Sequence, residues 1–97
     1  ISTDFEVTDA IRKHVDESIE DLKKILPEDP SANVQVILSK EAKGLYHSKF
    51  KVRVYKHDLF ADDVSDDLYQ SINSGKSKLG REILDLKNKF ETKKKHG

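Results

Sequence analysis

The last third of the chain carries apolar residues at the spacing of one face of a helix. They recur at intervals of three, four and seven within the stretch from Ser65 to Lys95, and they are Leu68, Ile72, Leu79, Ile83, Leu86 and Phe90. Asp66 and Asp67 near the start and lysines near the end match the direction of the helix dipole. Gly75 lies near the apolar face, where it would permit a close approach to another layer. The pattern predicts a long amphipathic helix.

A second helical pattern follows the first few residues. Its apolar face consists of Ile11, Val15, Ile19, Leu22 and either Ile25 or Leu26. Thr8 is the predicted N-cap, because its hydroxyl can accept a backbone N–H of the first turn. Pro27 and Pro30 predict the end of the helix, since proline lacks the N–H that helical hydrogen bonding needs, and Glu28 and Asp29 between them predict a turn.

Between and before the helices, the sequence predicts strands. In the clearest of them, from Tyr46 to Tyr55, one face carries Tyr46, Ser48, Phe50, Val52 and Val54. Asn33–Ser39 is a β-branched run of strand length, Ser2–Val7 is a short strand or extended lead-in, and Leu59–Ala61 is a short strand. A turn is predicted at Lys56–Asp58.

The order of elements predicts an α+β fold with the sequence β-α-β-β-β-α. Two amphipathic helices and strands with one apolar face are best satisfied by one four-stranded sheet with both helices packed on one face. The 97 residues suit a single domain, 1–97, and residues 91–97 are predicted to be a frayed basic tail. A domain of this size favours a small binding module over an enzyme with a deep active site.

Composition excludes some kinds of chemistry, and the charged residues are unevenly distributed along the chain. There is no cysteine, so disulfides and thiolate chemistry are excluded. Eighteen basic and eighteen acidic residues cancel, but residues 1–30 are mainly acidic, whereas residues 31–60 and 87–97 are mainly basic. No apolar run reaches membrane-spanning length, so no membrane partner is predicted and a cytoplasmic location is the default expectation.

The second face of the central strand is a row of cations and one terminal aromatic residue. It consists of His47, Lys49, Lys51, Arg53 and Tyr55. Cations with an aromatic side chain on a sheet can meet phosphates and stack on bases. One face of an antiparallel sheet is also commonly polar because it faces water, and we favour that interpretation.

A group of acids around His57 raises the question of a metal or catalytic site. The group is Asp58, Asp62, Asp63, Asp66 and Asp67. Helix capping and dipole complementarity explain Asp62–Asp67, and the histidines are too scattered for a zinc set. We therefore predict no catalytic residues, no metal, no cofactor and no small-molecule substrate.

Three motifs resemble one known family. They are FEVTDAIR at Phe5–Arg12, DLYQSI at Asp67–Ile72, and KLGRE at Lys78–Glu82 with Lys87 and Lys89 following. Together they resemble the ribosome hibernation promoting factors and ribosome-associated inhibitor A, over almost the whole chain. The resemblance implies a short form of this family, or a domain cut from a longer form, with a fold similar to double-stranded RNA-binding domains.

The resemblance also implies a function and a set of contacts. Members of this family bind the small ribosomal subunit in the channel for messenger and transfer RNA, and so silence idle ribosomes under stress. Basic side chains on both helices contact ribosomal RNA. By position, these would be Arg12 and Lys23 or Lys24 on the first helix, and Lys78, Arg81, Lys87 and Lys89 on the last.

Some positions depart from the family pattern. Ser18 and Asp21 stand where lysines are usual on the first helix, and Asp85 stands where another is common on the last. Because each phosphate contact adds to affinity through counterion release, their loss would weaken ribosome binding. The alternative is the same fold used as a protein-interaction or regulatory domain with weak or no ribosome binding. The sequence leaves the oligomeric state open.

Overall fold

The structure is a computed structural model that describes residues 1–26 and 32–96, with the backbone alone for residues 90–96. Its elements, in chain order, are β1 (Ser2–Thr3), α1 (Asp9–Ile25), β2 (Gln35–Lys40), β3 (Tyr46–Val54), β4 (His57–Ser65) and α2 (Leu68–His96). A short 3-10 turn, Ala42–Gly44, joins β2 to β3. This is the predicted β-α-β-β-β-α order.

The four strands form one mixed sheet in the order β1-β2-β3-β4. β1 pairs with β2 in parallel, and the other neighbours pair antiparallel. Phe50 lies opposite Val36 on one side and Ala61 on the other, so apolar side chains of three strands share one face. The predicted α+β fold with a single four-stranded sheet is confirmed.

Both helices cover the apolar face of the sheet, as predicted. The buried hydrophobic residues form one core: Ile11, Val15, Leu22, Val34, Val36, Leu38, Phe50, Val52, Val54, Ala61, Ile72, Leu79 and Ile83. The buried polar side chains are also satisfied, since Ser48 bonds to Ser71 and Ser18 bonds to the His14 carbonyl. Burial of this apolar surface is the main favourable contribution to folding.

β1 is shorter than the predicted Ser2–Val7. The Thr3 hydroxyl exchanges hydrogen bonds with the backbone of Phe5, which turns the chain away from the ladder. Asp4 then accepts the Lys40 backbone N–H at 3.1 Å, so a side chain replaces the next backbone bond. Thr8 accepts the Ile11 N–H at 3.2 Å, which confirms the predicted cap of α1.

β4 is much longer than the predicted Leu59–Ala61. The sequence pattern missed its ends because aspartates are poor strand formers, yet Asp62 and Asp63 both lie within the strand. The turn before it is Tyr55–Lys56, with φ of 52° and 66°, and not the predicted Lys56–Asp58. Positive φ at both residues is the geometry of a two-residue hairpin turn.

α2 begins at Leu68, three residues after the predicted start. Asp67 precedes the helix, and its Oδ1 accepts the Tyr69 N–H at 3.0 Å while its carbonyl accepts the Ser71 N–H. Asp67 is therefore a capping residue, as its acidic position suggested. The predicted turn at Glu28–Asp29, the side chain of Phe90 and the predicted tail side chains at 91–97 lie outside the described residues.

Candidate functional site

The two helices lie side by side and run in the same direction, because contacts join both their early and later turns. His14 Nε2 lies 2.8 Å from Asn73 Oδ1, and the His14 ring meets the Tyr69 ring edge-on with 5.0 Å between centroids. Further along, Lys76 Nζ donates to Asp21 at 2.6 Å. α2, with 29 residues, is about 44 Å long and continues past the end of α1.

The ion pair between the helices involves Asp21, which stands where lysine is usual in the family that the sequence resembles. The hydrogen bond from Lys76 and its positive charge hold the pKa of Asp21 below its usual value. Lys24 Nζ also lies 3.8 Å from Asp21. Compared with the usual lysine, Asp21 therefore removes one positive charge and also forms ion pairs with two cations, Lys24 and Lys76.

Ser18 has a different role from the one its sequence position suggested. Its side chain is only 2% exposed, and its hydroxyl donates to the His14 carbonyl at 2.9 Å. A buried residue in the helix layer has no access to a phosphate. Ser18 is therefore a packing residue, and its difference from lysine is not the loss of a surface contact in this chain.

On α1, Arg12 and Lys23 lie on the side away from α2. Lys23 is two residues from Asp21, so it points to nearly the opposite side of the helix from the pair with Lys76. Arg12 is eleven residues before Lys23, about three turns, and so shares that side. Lys23 lies 3.5 Å from exposed Glu20, a pair that contributes little because water screens it.

On α2, Lys78 and Arg81 lie beside β4. Lys78 Nζ donates to the Asp62 carbonyl and to Asp63 Oδ1, both at 3.1 Å. The hydrogen bond from Lys78 is the main cause of a lowered pKa at Asp63. Arg81 lines a shallow cavity of about 410 Å³ between α2 and β4, together with Lys78 and Glu82.

Two acids interrupt the cations farther along α2. Partial burial and the nearby charge of Asp85 raise the pKa of Glu82 above its usual value. Lys89 is eleven residues after Lys78 and lies on the same side, whereas Lys87 is eleven after Lys76 and lies on the α1 side. The negative charge of Asp85 therefore lies between Arg81 and Lys89.

The seven predicted RNA contacts thus do not form one patch. Arg12 and Lys23 lie on the outer side of α1, Lys24 lies near the groove between the helices, and Lys78, Arg81 and Lys89 lie on the β4 side of α2. Lys87 lies on the same side of α2 as Lys76, but past the end of α1. Along the helix axis, the level of Arg12 and that of Lys87 are about 27 Å apart. The cations are distributed around and along an elongated helix pair.

The face of the sheet opposite the helices carries a second group, which we call the outer sheet face: His47, Lys49, Lys51, Arg53 and Phe60. Phe60 lies opposite Lys51 on the neighbouring strand and is 47% exposed. The predicted row of cations is present, but Tyr55 lies in the turn and packs against the core instead. The sequence pattern did not single out Phe60, because only strand register brings it beside the lysines.

Comparison with known proteins places the chain in a family. Residues 1–91 match the family described as sigma 54 modulation protein / S30EA ribosomal protein. The chain belongs to this family. The match covers nearly the whole chain, so the resemblance to the hibernation factors is confirmed at the level of the family.

Two solved structures of other proteins share the fold of this chain. The Protein Y N-terminal domain from Thermus thermophilus has a TM-score of 0.72 and 23% identity, over 84% of this chain and 88% of that one. A ribosomal subunit interface protein from Coxiella burnetii has a TM-score of 0.72 and 18% identity, over 90% and 96%. At these identities the likeness establishes the fold.

The sigma 54 modulation/S30EA family is one of ribosome-associated factors and not of enzymes, and the acids of this member have structural roles. Within the described residues, no three His, Asp or Glu side chains are grouped to hold a metal. The prediction that Asp62 and Asp63 cap a helix is wrong. Asp62 bonds to His47 at 2.8 Å, and Asp63 bonds to Lys78. No helix in the described part of the chain is long and apolar enough to span a membrane.

Proposed function

We propose that this chain is a ribosome hibernation factor that binds small-subunit ribosomal RNA in the channel for mRNA and tRNA. Membership of a family of ribosome-associated proteins carries the proposal. The cations around the helix pair support it, because a channel lined with RNA presents phosphates to more than one side of an inserted rod. Stress would determine when it acts, and the cytoplasm is where it would meet ribosomes.

Arg12, Arg81 and Lys89 are the cations best placed for this role. All three are exposed and form no ion pair with another described residue. Lys23, Lys24 and Lys78 contact acids, so each would exchange an intramolecular partner for a phosphate. We therefore expect the first three to contribute more affinity than the second three.

The proposed mechanism is occlusion. Phosphate contacts position a protein without reading base sequence, so a rigid helix pair anchored by Lys and Arg would fill the channel independently of the RNA sequence. The close packing of α1 on α2 keeps the cations at fixed separations, which lowers the ordering cost on binding. The protein would block tRNA and mRNA without chemical change to the ribosome.

Co-sedimentation with purified small subunits tests the proposal. The protein should pellet with subunits at low salt, and the bound fraction should fall steeply as salt rises. Arg81→Gln should weaken binding and reduce the salt dependence by about one contact, whereas Lys43→Gln, in the turn between β2 and β3, should not. If no protein pellets with subunits even at low salt, the proposal is wrong.

A second candidate function is a protein-interaction domain with weak or no ribosome binding. The acids next to the helical cations favour it: Asp21 contacts Lys24 and Lys76, and Asp85 follows Arg81 on α2. This function predicts no salt-dependent pelleting. It also predicts that neutralising Asp21 and Asp85 together would not produce binding to small subunits.

A further inference from the structure

We propose that the outer sheet face binds a single-stranded nucleic acid segment, with a base stacked on Phe60 and phosphates at Lys49 and Lys51. This face lies on the opposite side of the sheet from the helices. Its lysines are therefore separate from the helical cations, whereas Phe60 also lines the cavity that contains Arg81. The oligonucleotide assay below tests this face without ribosomes.

Phe60 is an exposed aromatic residue with two cations close to its ring. Lys51 Nζ lies 5.4 Å from the ring centroid and Lys49 Nζ lies 5.5 Å from it, within range of cation–π attraction. Phe60 nevertheless remains 47% exposed, so part of the ring is accessible to a base. Stacking between a base and an aromatic side chain is favourable for every base.

The two lysines are placed to meet consecutive phosphates. Lys49 and Lys51 are alternate residues of β3, so their backbone positions are about 6.6 Å apart on one face. This is close to the separation of neighbouring phosphates in an extended strand. Within the described residues, neither ammonium group forms an ion pair, so binding would not require an acid to be displaced.

A shallow depression beside Phe60 can accept the edge of a base. It has a volume of about 260 Å³, and its lining includes Asn33, Gln35, Arg53 and Phe60, with the acid Asp58 opposite Arg53. The two side-chain amides supply both donors and acceptors, which base edges require. A nucleotide would use the aromatic ring, the amides and the cations together, whereas an acidic peptide would need only the cations. The combination therefore favours a nucleotide.

Two acids lie on the same face as these lysines. Asp62 lies opposite Lys49 in the strand register, but its carboxylate bonds to His47 at 2.8 Å, and Asp58 lies opposite Arg53. Within the described residues, the positive charge of this face that forms no ion pair therefore includes Lys49 and Lys51, and an anionic strand would be attracted to these two ammonium groups.

Fluorescence anisotropy with labelled hexauridylate tests this inference. The wild-type chain should bind, and Phe60→Leu, which keeps an apolar side chain, should weaken binding roughly tenfold. Phe60→Tyr should restore stacking and bind as the wild type does. Lys51→Gln should lower the slope of log K against log salt by about 0.7, the value for one phosphate contact on a single strand. The control is Lys13→Gln, an exposed lysine of α1, which should have no effect.

Amide chemical shifts of the wild-type chain provide a second measurement that needs no variant. Hexauridylate should shift resonances of β3 and β4 and leave α1 unchanged. Shifts confined to the helices, equal binding by Phe60→Leu, or no binding at low salt would each overturn the inference. Displacement of the oligonucleotide by hexaglutamate at equal concentration would also overturn it, and would indicate an acidic-peptide surface.

Discussion

Gly75 of α2 lies directly against Phe50 of β3. A Cβ added to Gly75 would be 2.9 Å from Phe50 Cδ1 and 3.1 Å from Cε1, closer than carbon atoms normally approach. The Phe50 ring is fully buried, so it cannot move aside into solvent. The absence of a side chain at Gly75 is what allows the helix to lie this close to the sheet, as its position in the sequence suggested.

Gly75→Ala should therefore destabilise the fold. Alanine is favoured over glycine in a helix by about 1 kcal/mol. Overpacking against an immobile ring costs typically 1–3 kcal/mol, so we expect a net loss of about 1 kcal/mol. Urea unfolding followed by circular dichroism measures the free energy of unfolding for both proteins.

Gly80→Ala is the matched control in the same helix. Its Cβ would meet Ile25 Cδ1 at 3.7 Å and Leu22 Cδ2 at 3.8 Å, which are ordinary contacts. The helical preference of alanine should then dominate, with a gain of about 0.5–1 kcal/mol. Equal stability changes in Gly75→Ala and Gly80→Ala would show that α2 can move away from β3 without cost.

The buried pair Ser48 and Ser71 predicts unequal effects of two similar substitutions. Ser71 donates to the Leu68 carbonyl at 2.8 Å, so its hydroxyl proton is used and Ser48 must donate to Ser71, at 2.7 Å. Ser71→Ala leaves the Ser48 hydroxyl buried without an acceptor and should cost about 1–3 kcal/mol. Ser48→Ala leaves Ser71 bonded to Leu68 and should cost less, at most about 1 kcal/mol.

The double variant distinguishes this hydrogen-bond arrangement from simple loss of packing. Removing both hydroxyls leaves no unsatisfied donor, so Ser48→Ala combined with Ser71→Ala should be more stable than Ser71→Ala alone. Urea unfolding again provides the free energies. Additive losses in the double variant would contradict the assigned direction of the hydrogen bond.

The pair between Asp21 and Lys76 predicts a pH dependence of stability. Because the pKa of Asp21 is lowered in the folded state, its carboxylate contributes stability above the unfolded pKa, and that contribution is lost as pH falls through the folded pKa. The stability difference between wild type and Asp21→Asn should be constant above about pH 5 and should shrink below the ordinary value of 3.8. Unfolding curves across this pH range measure the difference.

Lys76→Gln identifies the cause of that pH dependence. Without the Lys76 hydrogen bond and charge, the Asp21 carboxyl should titrate closer to its ordinary pKa. Carboxyl carbon chemical shifts follow the titration of this single residue. An Asp21 titration that is unchanged by Lys76→Gln would assign the lowered pKa to another group.

The main features of the fold could be predicted because they depend on local periodicity. The alternation around Phe50 and the helical repeat through Ile72 and Leu79 each identify one buried face, and all three residues are fully buried. The extent of β4 could not be predicted in this way. Asp62 and Asp63 are stabilised in the strand by His47 and Lys78, which are distant in sequence.

The candidate sites show the same limit. The sequence placed cations on both helices, but it could not show that Asp21 would engage Lys24 and Lys76, since this depends on how α1 packs beside α2. Nor could it show that Phe60 would lie close to two lysines, because that contact depends on the register of β3 and β4. Long-range pairing, which no local pattern encodes, determines both arrangements.

Asp85 provides a test of whether the β4 side of α2 meets phosphate. It lies between Arg81 and Lys89 on that side, and its negative charge contributes to the raised pKa of Glu82. Asp85→Lys should tighten binding to small subunits roughly three- to tenfold at moderate salt and add about one contact to the salt dependence. Asp66→Lys makes the same change in net charge just before the start of α2, about 28 Å from Asp85, and should have little effect. Equal tightening by the two variants would indicate a general charge effect, and no change with Asp85→Lys would place the contact on another surface.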